Sequence, residues 1–436
     1  MNVLVDSSGY ALNNVGDVAM LQVAVSRLRA LWPSASIRVL ASRADGLIGY
    51  CPDALPLAAN GLRKWMEWSR LPGGGRIPTA MSKRLVGTES NFRTYLPWLA
   101  DGLAVRRARG HPTELADIEA VLEAADAADL LVLSGGGYMT DVFRGHALSS
   151  FELLRRCQRQ GATTAMMGQG IGPLRDPVLL SRARATLPKV DLIALREGRS
   201  APSLLSAVGV SSARVRVTGD DAIESALASR PELLGTALGI NVRVSSYSNV
   251  GRVLLGNIRT ALLKAAREIG AAVLAVPISW AAADSDIDSL RELMAGCDPE
   301  KVRLEELNTP LAVIRRIGLC RVVVTGSYHA GVFALSQGIP VIGLTQSVYY
   351  TDKFLGLADQ FGAGCRLLAF DQPDFGDALS TGVRELWDQA DALRPTLLAA
   401  AARQVKSGRE AYAQLGQMVG NLAGAPAQAS NAEVFS

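Results

Sequence analysis

Histidine is scarce in this chain: His111, His146 and His329 are the only three in 436 residues. Cysteine is nearly as thin, with Cys51, Cys157, Cys297, Cys320 and Cys365 scattered and no C-x-x-C pair. That spacing supports neither a disulfide framework nor a zinc knuckle, and histidines so far apart argue against a His/Cys metal centre. No apolar run reaches the ~18 residues that a membrane-spanning helix needs. The best candidate, GAAVLAVPISWAAA (270–283), is broken by Pro277 and reads as a buried strand with its exit loop. The opening MNVLVDSSG lacks a basic segment followed by an apolar one, so a secretory leader is not expected. The phosphate-binding loop G-x-x-x-x-G-K-[ST] and the dinucleotide fingerprint G-x-G-x-x-G are also missing. Net charge is a mild +4, and no nucleic-acid partner is expected. Together these absences suggest a cytoplasmic protein without a resident metal or redox cofactor.

What is there is apolar and periodic. Hydrophobic residues make up 49% of the chain and charged residues 20%, enough for real cores, and the length suggests two domains of roughly 200 residues. Short apolar runs alternate with helical spacings: NVLVD (2–6), SIRVLAS (36–42), DLLVLSGGG (129–137), TTAMMGQGIG (163–172), VDLIALRE (190–197) and RVRVTGD (214–220). The pattern breaks near 226–237 and restarts with LGINVRVS (238–245), AAVLAVPIS (271–279), RVVVTGS (321–327) and PVIGL (340–344). Continuous apolar strands separated by helices mean parallel sheets covered on both faces. The expected fold class is α/β, with two doubly wound parallel-sheet domains facing a central cleft. The expected division is 1–228, then 238–400, a C-terminal helical segment at 401–423 returning to the first domain, and a disordered tail at 424–436. The residues before that tail read as a pair of amphipathic helices.

Charge is uneven. Residues 61–110 hold ten Lys or Arg against Glu67, Glu89 and Asp101, interleaved with Trp65, Trp68, Phe92, Tyr95 and Trp98. Basic residues among aromatics suit a membrane surface or an anionic polymer, and equally a solvated excursion on a globular domain.

In open parallel sheets ligands bind beyond the carboxyl ends of the strands, so the chemistry is read there. After the first strand come Asn14, Gly16 and Asp17, where Asp17 is a candidate helix cap and the loop leaves backbone N–H groups toward the cleft. LSGGGYMTD brings Gly135, Gly136 and Gly137, which allow a backbone to approach an anion closely. GQGIGP adds a second glycine loop with Gln169. Arg196 follows an apolar strand, either paired with Glu197 or serving as a fork for a carboxylate or phosphate. Asn241 and Arg243 mark the first strand of the second domain. The stretch GSYHAGVFALSQG puts Ser327, Tyr328 and His329 where a strand becomes a helix, a place for anion-binding N–H groups and a proton-handling imidazole. Tyr349, Tyr350 and Lys353 follow the last strand. Asp284, Asp286 and Asp288 have spacing that a divalent cation tolerates, but two of them read better as the start of a solvated helix, DIDSLRELMAG.

The ordered set NNVGD, LSGGGYMTD, GQGIGP, LREGRSAPSLLSAVG, VTGDDA, GINVR and GSYHAGVFALSQGIPVIGL followed by YYTDKF resembles the polysaccharide pyruvyl transferase family, over about residues 2–365 outside the basic excursion. The resemblance implies a GT-B-like fold, phosphoenolpyruvate as donor and no cofactor. It implies a glycan or lipid-linked sugar as acceptor, ketalised on a pair of hydroxyls. It also implies His329 as general acid/base, Arg196 as the donor-anion ligand with Lys353 assisting, and Asn14 and Asp17 orienting the acceptor. Where the family commonly reads Ser-Arg-Leu-His, this chain has Gly326-Ser327-Tyr328-His329, so Ser327 replaces an arginine. The alternatives on the same frame are a GT-B glycosyltransferase or sugar-nucleotide epimerase, and a non-catalytic glycan-binding relative.

Overall fold

The structure, a computed structural model, describes residues 1–69, 96–242, 252–281, 285–297, 304–345 and 347–423. Arg243, Asp284, the middle of the basic excursion and the 424–436 tail lie outside the described residues.

Runs of three to nine residues, most of them apolar, become the strands of two parallel sheets. The first sheet contains β1 (Asn2–Asp6), β2 (Ser36–Ala41), β3 (Leu55–Ala58), β4 (Leu130–Leu133), β5 (Gly136–Met139), β6 (Thr163–Ile171), β7 (Leu192–Leu195) and β8 (Val215–Val217). Its order is β3-β2-β1-β4-β6-β7-β8, with β5 beside the end of β6. The second contains β9 (Ala237–Asn241), β10 (Ala272–Ala275), β11 (Cys320–Thr325), β12 (Val341–Thr345) and β13 (Cys365–Ala369), in the order β10-β9-β11-β12-β13. Every pairing between these strands is parallel, so each crossover is helical and each sheet is covered on both faces. The chain reverses its winding direction between β1 and β4, and again between β9 and β11. Ligand crevices form at such switch points.

The two units share an apolar core. Val15, Ala19 and Met20 of helix Val15–Leu31 pack with Ala222, Ile223 and Ala226, with Tyr328, Val332 and Phe333 of helix Tyr328–Ser336, and with Leu397, Ala400 and Ala401. Backbone hydrogen bonds close the same seam: Val15 N donates to Ile278 O at 2.9 Å and Trp280 N to Asn13 O at 2.7 Å.

Instead of the expected helix pair, one helix runs Phe375–Ala423 with Pro395 inside it. Proline removes one helical donor. Here the turn is held by tertiary contacts: Arg394 donates to Gln337 O at 3.0 Å and to Pro231 O, while Leu397 is buried. The far end of this helix lies on the first sheet, where Tyr412, Leu415 and Val419 join Val18, Leu21 and Val25.

Charge reinforces that return. Glu224 accepts from Arg27 Nε at 2.8 Å and from Arg409 Nε at 2.9 Å, and Tyr412 donates to Asp221 at 2.9 Å. Burial pushes the Asp221 carboxyl up, and Arg27 opposes that. Removing one member of a buried pair leaves an uncompensated charge, which costs about 3–5 kcal/mol, whereas an exposed ion pair contributes less than about 1 kcal/mol. Side-chain exposure is 12% for Arg27 and 65% for Arg409. Urea unfolding of Glu224→Ala is therefore expected to show a loss of about 3 kcal/mol or more, and Arg409→Ala a loss under about 1 kcal/mol.

Candidate active site at the seam between the two sheets

Three ionisable groups meet where the carboxyl ends of β7 and β8 face the start of helix Tyr328–Ser336. Arg196 follows β7, Asp220 follows β8, and His329 stands in the first turn of the helix. Asp220 Oδ2 lies 3.8 Å from Arg196 NH1 and 3.8 Å from His329 Nε2. All three are nearly removed from water, with exposures of 4% for Arg196, 4% for Asp220 and 7% for His329.

Glycines let these heads approach. A Cβ on Gly16 would sit 2.0 Å from His329 Cγ, so the imidazole lies directly on the backbone that opens helix Val15–Leu31. A Cβ on Gly170 would be 2.7 Å from Arg196 Nε. A Cβ on Gly137 would be 2.8 Å from Arg196 NH2 and 3.2 Å from Lys353 Nζ, so two cations share the hollow over Gly137. Arg196 also stacks on Tyr328, its Cζ 4.2 Å from the ring centroid. Lys353 Nζ is 4.0 Å from the Tyr349 centroid, and Tyr349 donates its hydroxyl to Gly137 O at 3.1 Å.

The helix that presents His329 starts without a side-chain cap. Ser327 occupies the cap position with its own N–H given to Thr325 Oγ1 at 2.8 Å. Its first turn, with Gly16 and Gly137 opposite, is suited to an anion.

Of the residues singled out from sequence, the fold gathers Gly16, Gly137, Arg196, Ser327, Tyr328, His329, Tyr350 and Lys353 along this seam. Asn14 caps helix Val15–Leu31, accepting from Gly16 N at 2.9 Å, and bridges to Ser279. The expected cap, Asp17, sits in the first turn beside Gly9 instead. Gly135 admits Met20, and Gly136, at φ 150°, admits Ser8. Gln169 and Asn241 are wholly buried, with their amides turned inward. Gln169 Nε2 donates to Ser134 O at 2.7 Å. Asn241 Nδ2 donates to Val276 O and to Asp286 Oδ2, both at 2.8 Å. Asp286 opens helix Asp286–Leu293, as expected, but it is buried and also accepts from Ile278 N at 2.7 Å. It therefore staples the loop that meets Asn14, while Asp288 in the same turn is exposed. No group of metal-ligating side chains assembles among the described residues. Glu197, one of the two partners weighed for Arg196, accepts from Arg199 N at 2.6 Å.

Asp220 and Gly170 were not marked by the sequence reading. The signal for Asp220 was its place in VTGDD, directly past a strand. Burial pushes its carboxyl up to about 7 although Arg196 opposes this. The other histidines lie away from the seam: His146 stacks between Tyr10 and Tyr138, and His111 packs against Trp68.

The sequence model described as Polysaccharide pyruvyl transferase matches residues 14–347. Among curated proteins, none matches this chain by sequence. Similar solved structures include a UDP-N-acetylglucosamine 2-epimerase structure from Listeria monocytogenes (14% identity, 97% of each chain, TM-score 0.58). Another is the MnaA–UDP structure from S. aureus (13% identity, 99% of this chain and 100% of that one, TM-score 0.52). These neighbours share the two-domain GT-B fold.

Two outcomes follow from the geometry. Gly16→Ala forces its methyl into the imidazole, and overpacking of this kind costs about 1–3 kcal/mol. A lower thermal midpoint together with displaced His329 resonances is expected. The carboxyl of Asp220 is raised when folded, so its contribution favours folding below the unfolded value of 3.8 and is lost as pH rises through about 7. Asp220→Asn keeps the cap to Ala222 N and removes the charge. The variant is expected to match the parent near pH 4 and exceed it above pH 8, by at most about 4 kcal/mol in urea titrations.

Proposed function

The chain belongs to the polysaccharide pyruvyl transferase family, and on that premise we propose that it transfers pyruvate from phosphoenolpyruvate to a pair of hydroxyls on a glycan precursor. The observation that carries this reading is the convergence of Arg196 and Lys353 over Gly137, beside His329. Phosphoenolpyruvate brings a phosphate and a carboxylate, and two cations with an uncapped helix start match that charge. They also supply the positive charge that the family draws from the arginine replaced here by Ser327.

The chemistry needs one acid/base that works twice. A proton passes to the methylene carbon of the donor, and a sugar hydroxyl attacks the adjacent carbon, losing its own proton to the base. Phosphate then leaves with a proton, and the second hydroxyl closes the ketal while giving its proton back. Protons balance: the two hydroxyl protons end on the new methyl group and on the phosphate. His329 is the acid/base, Arg196 and Lys353 hold the donor, and Asn14 and Asp17 face the acceptor. No metal or redox step is required. An epimerase or glycosyltransferase reading rests on the fold alone.

On this reading the protein is cytoplasmic, and no described helix is long and apolar enough to cross a membrane. A peripheral membrane contact would bring it to a lipid-linked acceptor. Among the described flanks of the basic excursion, Trp98 is the residue such a contact would use. Trp65 is buried with its indole on Asp101 at 2.8 Å, and Arg107 donates to Trp68 O, whereas Trp98 is 66% exposed.

Phosphoenolpyruvate at 100 times its dissociation constant stabilises a protein by about 2.7 kcal/mol. A thermal shift with phosphoenolpyruvate, absent with UDP-sugars and lost in Arg196→Ala, is the expected result. A shift with UDP-sugars alone would replace this reading with the nucleotide-sugar one. Sedimentation with anionic phospholipid vesicles is expected to fall in Trp98→Glu. Equal binding by the parent removes the membrane contact from the proposal.

A further inference from the structure

Asp220 is held in a way that its local role does not explain. Its Oδ1 accepts from Ala222 N at 3.0 Å, which fixes the carboxylate over the start of helix Ala222–Ala228. Its Oδ2 accepts no hydrogen bond from any described residue, although the group is only 4% exposed. A buried carboxylate oxygen without a hydrogen bond is costly, and a cap needs only an amide oxygen there. That oxygen is instead aimed between His329 Nε2 and Arg196 NH1, 3.8 Å from each.

We propose that Asp220 is the positioning residue for His329: through Oδ2 it orients the imidazole and stabilises its protonated form, while sharing its charge with Arg196. It acts through the histidine and does not itself touch the donor. This rests on the acid/base role given to His329 above. It adds a coupling, because an anion arriving at Arg196 would draw that cation away from Asp220. The carboxylate is then left to support a proton on His329 just when one is needed.

The packing around the pair is defined from every side. Facing Asp220 are Arg196 from the end of β7, His329 and Tyr328 from their shared helix, Asp17 from helix Val15–Leu31, and the adjacent Asp221. Facing the imidazole are Gly16 beneath it and the rings of Tyr328 and Phe333, with centroids 5.4 Å and 6.5 Å away. Separations of 3.8 Å are longer than hydrogen bonds, as is common before substrate tightens a site.

With only three histidines in the chain, the test reads directly. Histidine C2–H resonances of the free protein are followed by NMR from pH 5 to 9, and the one missing in His329→Gln is assigned to His329. In Asp220→Asn, the His329 midpoint is expected to move to lower pH by about one unit or more, because a nearby opposite charge favours the charged form. Asp220→Glu, which keeps the charge, is expected to restore most of that movement. It also keeps the test valid if the asparagine variant folds poorly. An unchanged midpoint in Asp220→Asn overturns the proposal. No substrate is present, so failure here is distinct from failure of the pyruvyl-transfer reading. That reading falls separately if phosphoenolpyruvate does not bind.

Discussion

Charge taken out of water is what the seam of this molecule is built around. Arg196, Asp220 and His329 come from three different chain segments and meet under less than a tenth of their free exposure. Each would be costly alone, and each is tolerable because the others are within reach. The surrounding choices follow from bringing such heads together. Gly16, Gly137 and Gly170 lack side chains because the imidazole, the guanidinium and the Lys353 ammonium lie against their backbones. Tyr328 offers its ring face to Arg196 at 4.2 Å, adding a cation–π contact that needs no further charge.

The scaffold spends much of its architecture on keeping that meeting in register. An apolar core runs across the seam, so the two sheets are joined by burial as well as by chain connection. The long C-terminal helix then returns to brace the loop that carries Asp220. Gln404 presses on Gly219, which holds φ 86°, and Tyr412 and Arg27 fix Asp221 next door. The brace is offset by one strained element, since a carboxylate pushed up to about 7 works against folding at neutral pH. Active sites often hold groups that stability alone would remove.

The same frame hosts other chemistry in its neighbours. The UDP-N-acetylglucosamine 2-epimerase structure from Listeria monocytogenes overlaps nearly the whole chain at 14% identity, so the likeness reaches the fold and stops there. Function is decided by the site grafted on the fold. In this chain that site carries two cations, a histidine and a carboxylate, drawn from the ends of β7, β8 and β11 and from the helix after β12. Ser327 stands where the family commonly has an arginine, and Arg196 with Lys353 supplies cations across the seam.

While β3, β13 and the order of the strands emerged only in the fold, the sequence by itself determined most of the strands, the parallel character of their sheets and the strand-to-helix joint at His329. Those depend on local apolar runs and on a strand-to-helix joint, both of which are visible along the chain. It also pointed to Arg196 and Lys353, because a charged residue just past an apolar strand has few places to go. It did not show that Asn241 and Gln169 are turned inward or that Asp286, at the start of its helix, is buried, since a polar side chain at a strand end looks the same whether it faces a ligand or ties two loops together. It read a pair of helices before the tail, where Arg394 and the core hold one helix through Pro395 instead. Only the tertiary structure decided that Asp220 belongs with His329. The two lie more than a hundred residues apart, and their pairing arises from the angle at which two sheets close. Burial that raises the carboxyl comes from that closure, and no local pattern encodes it.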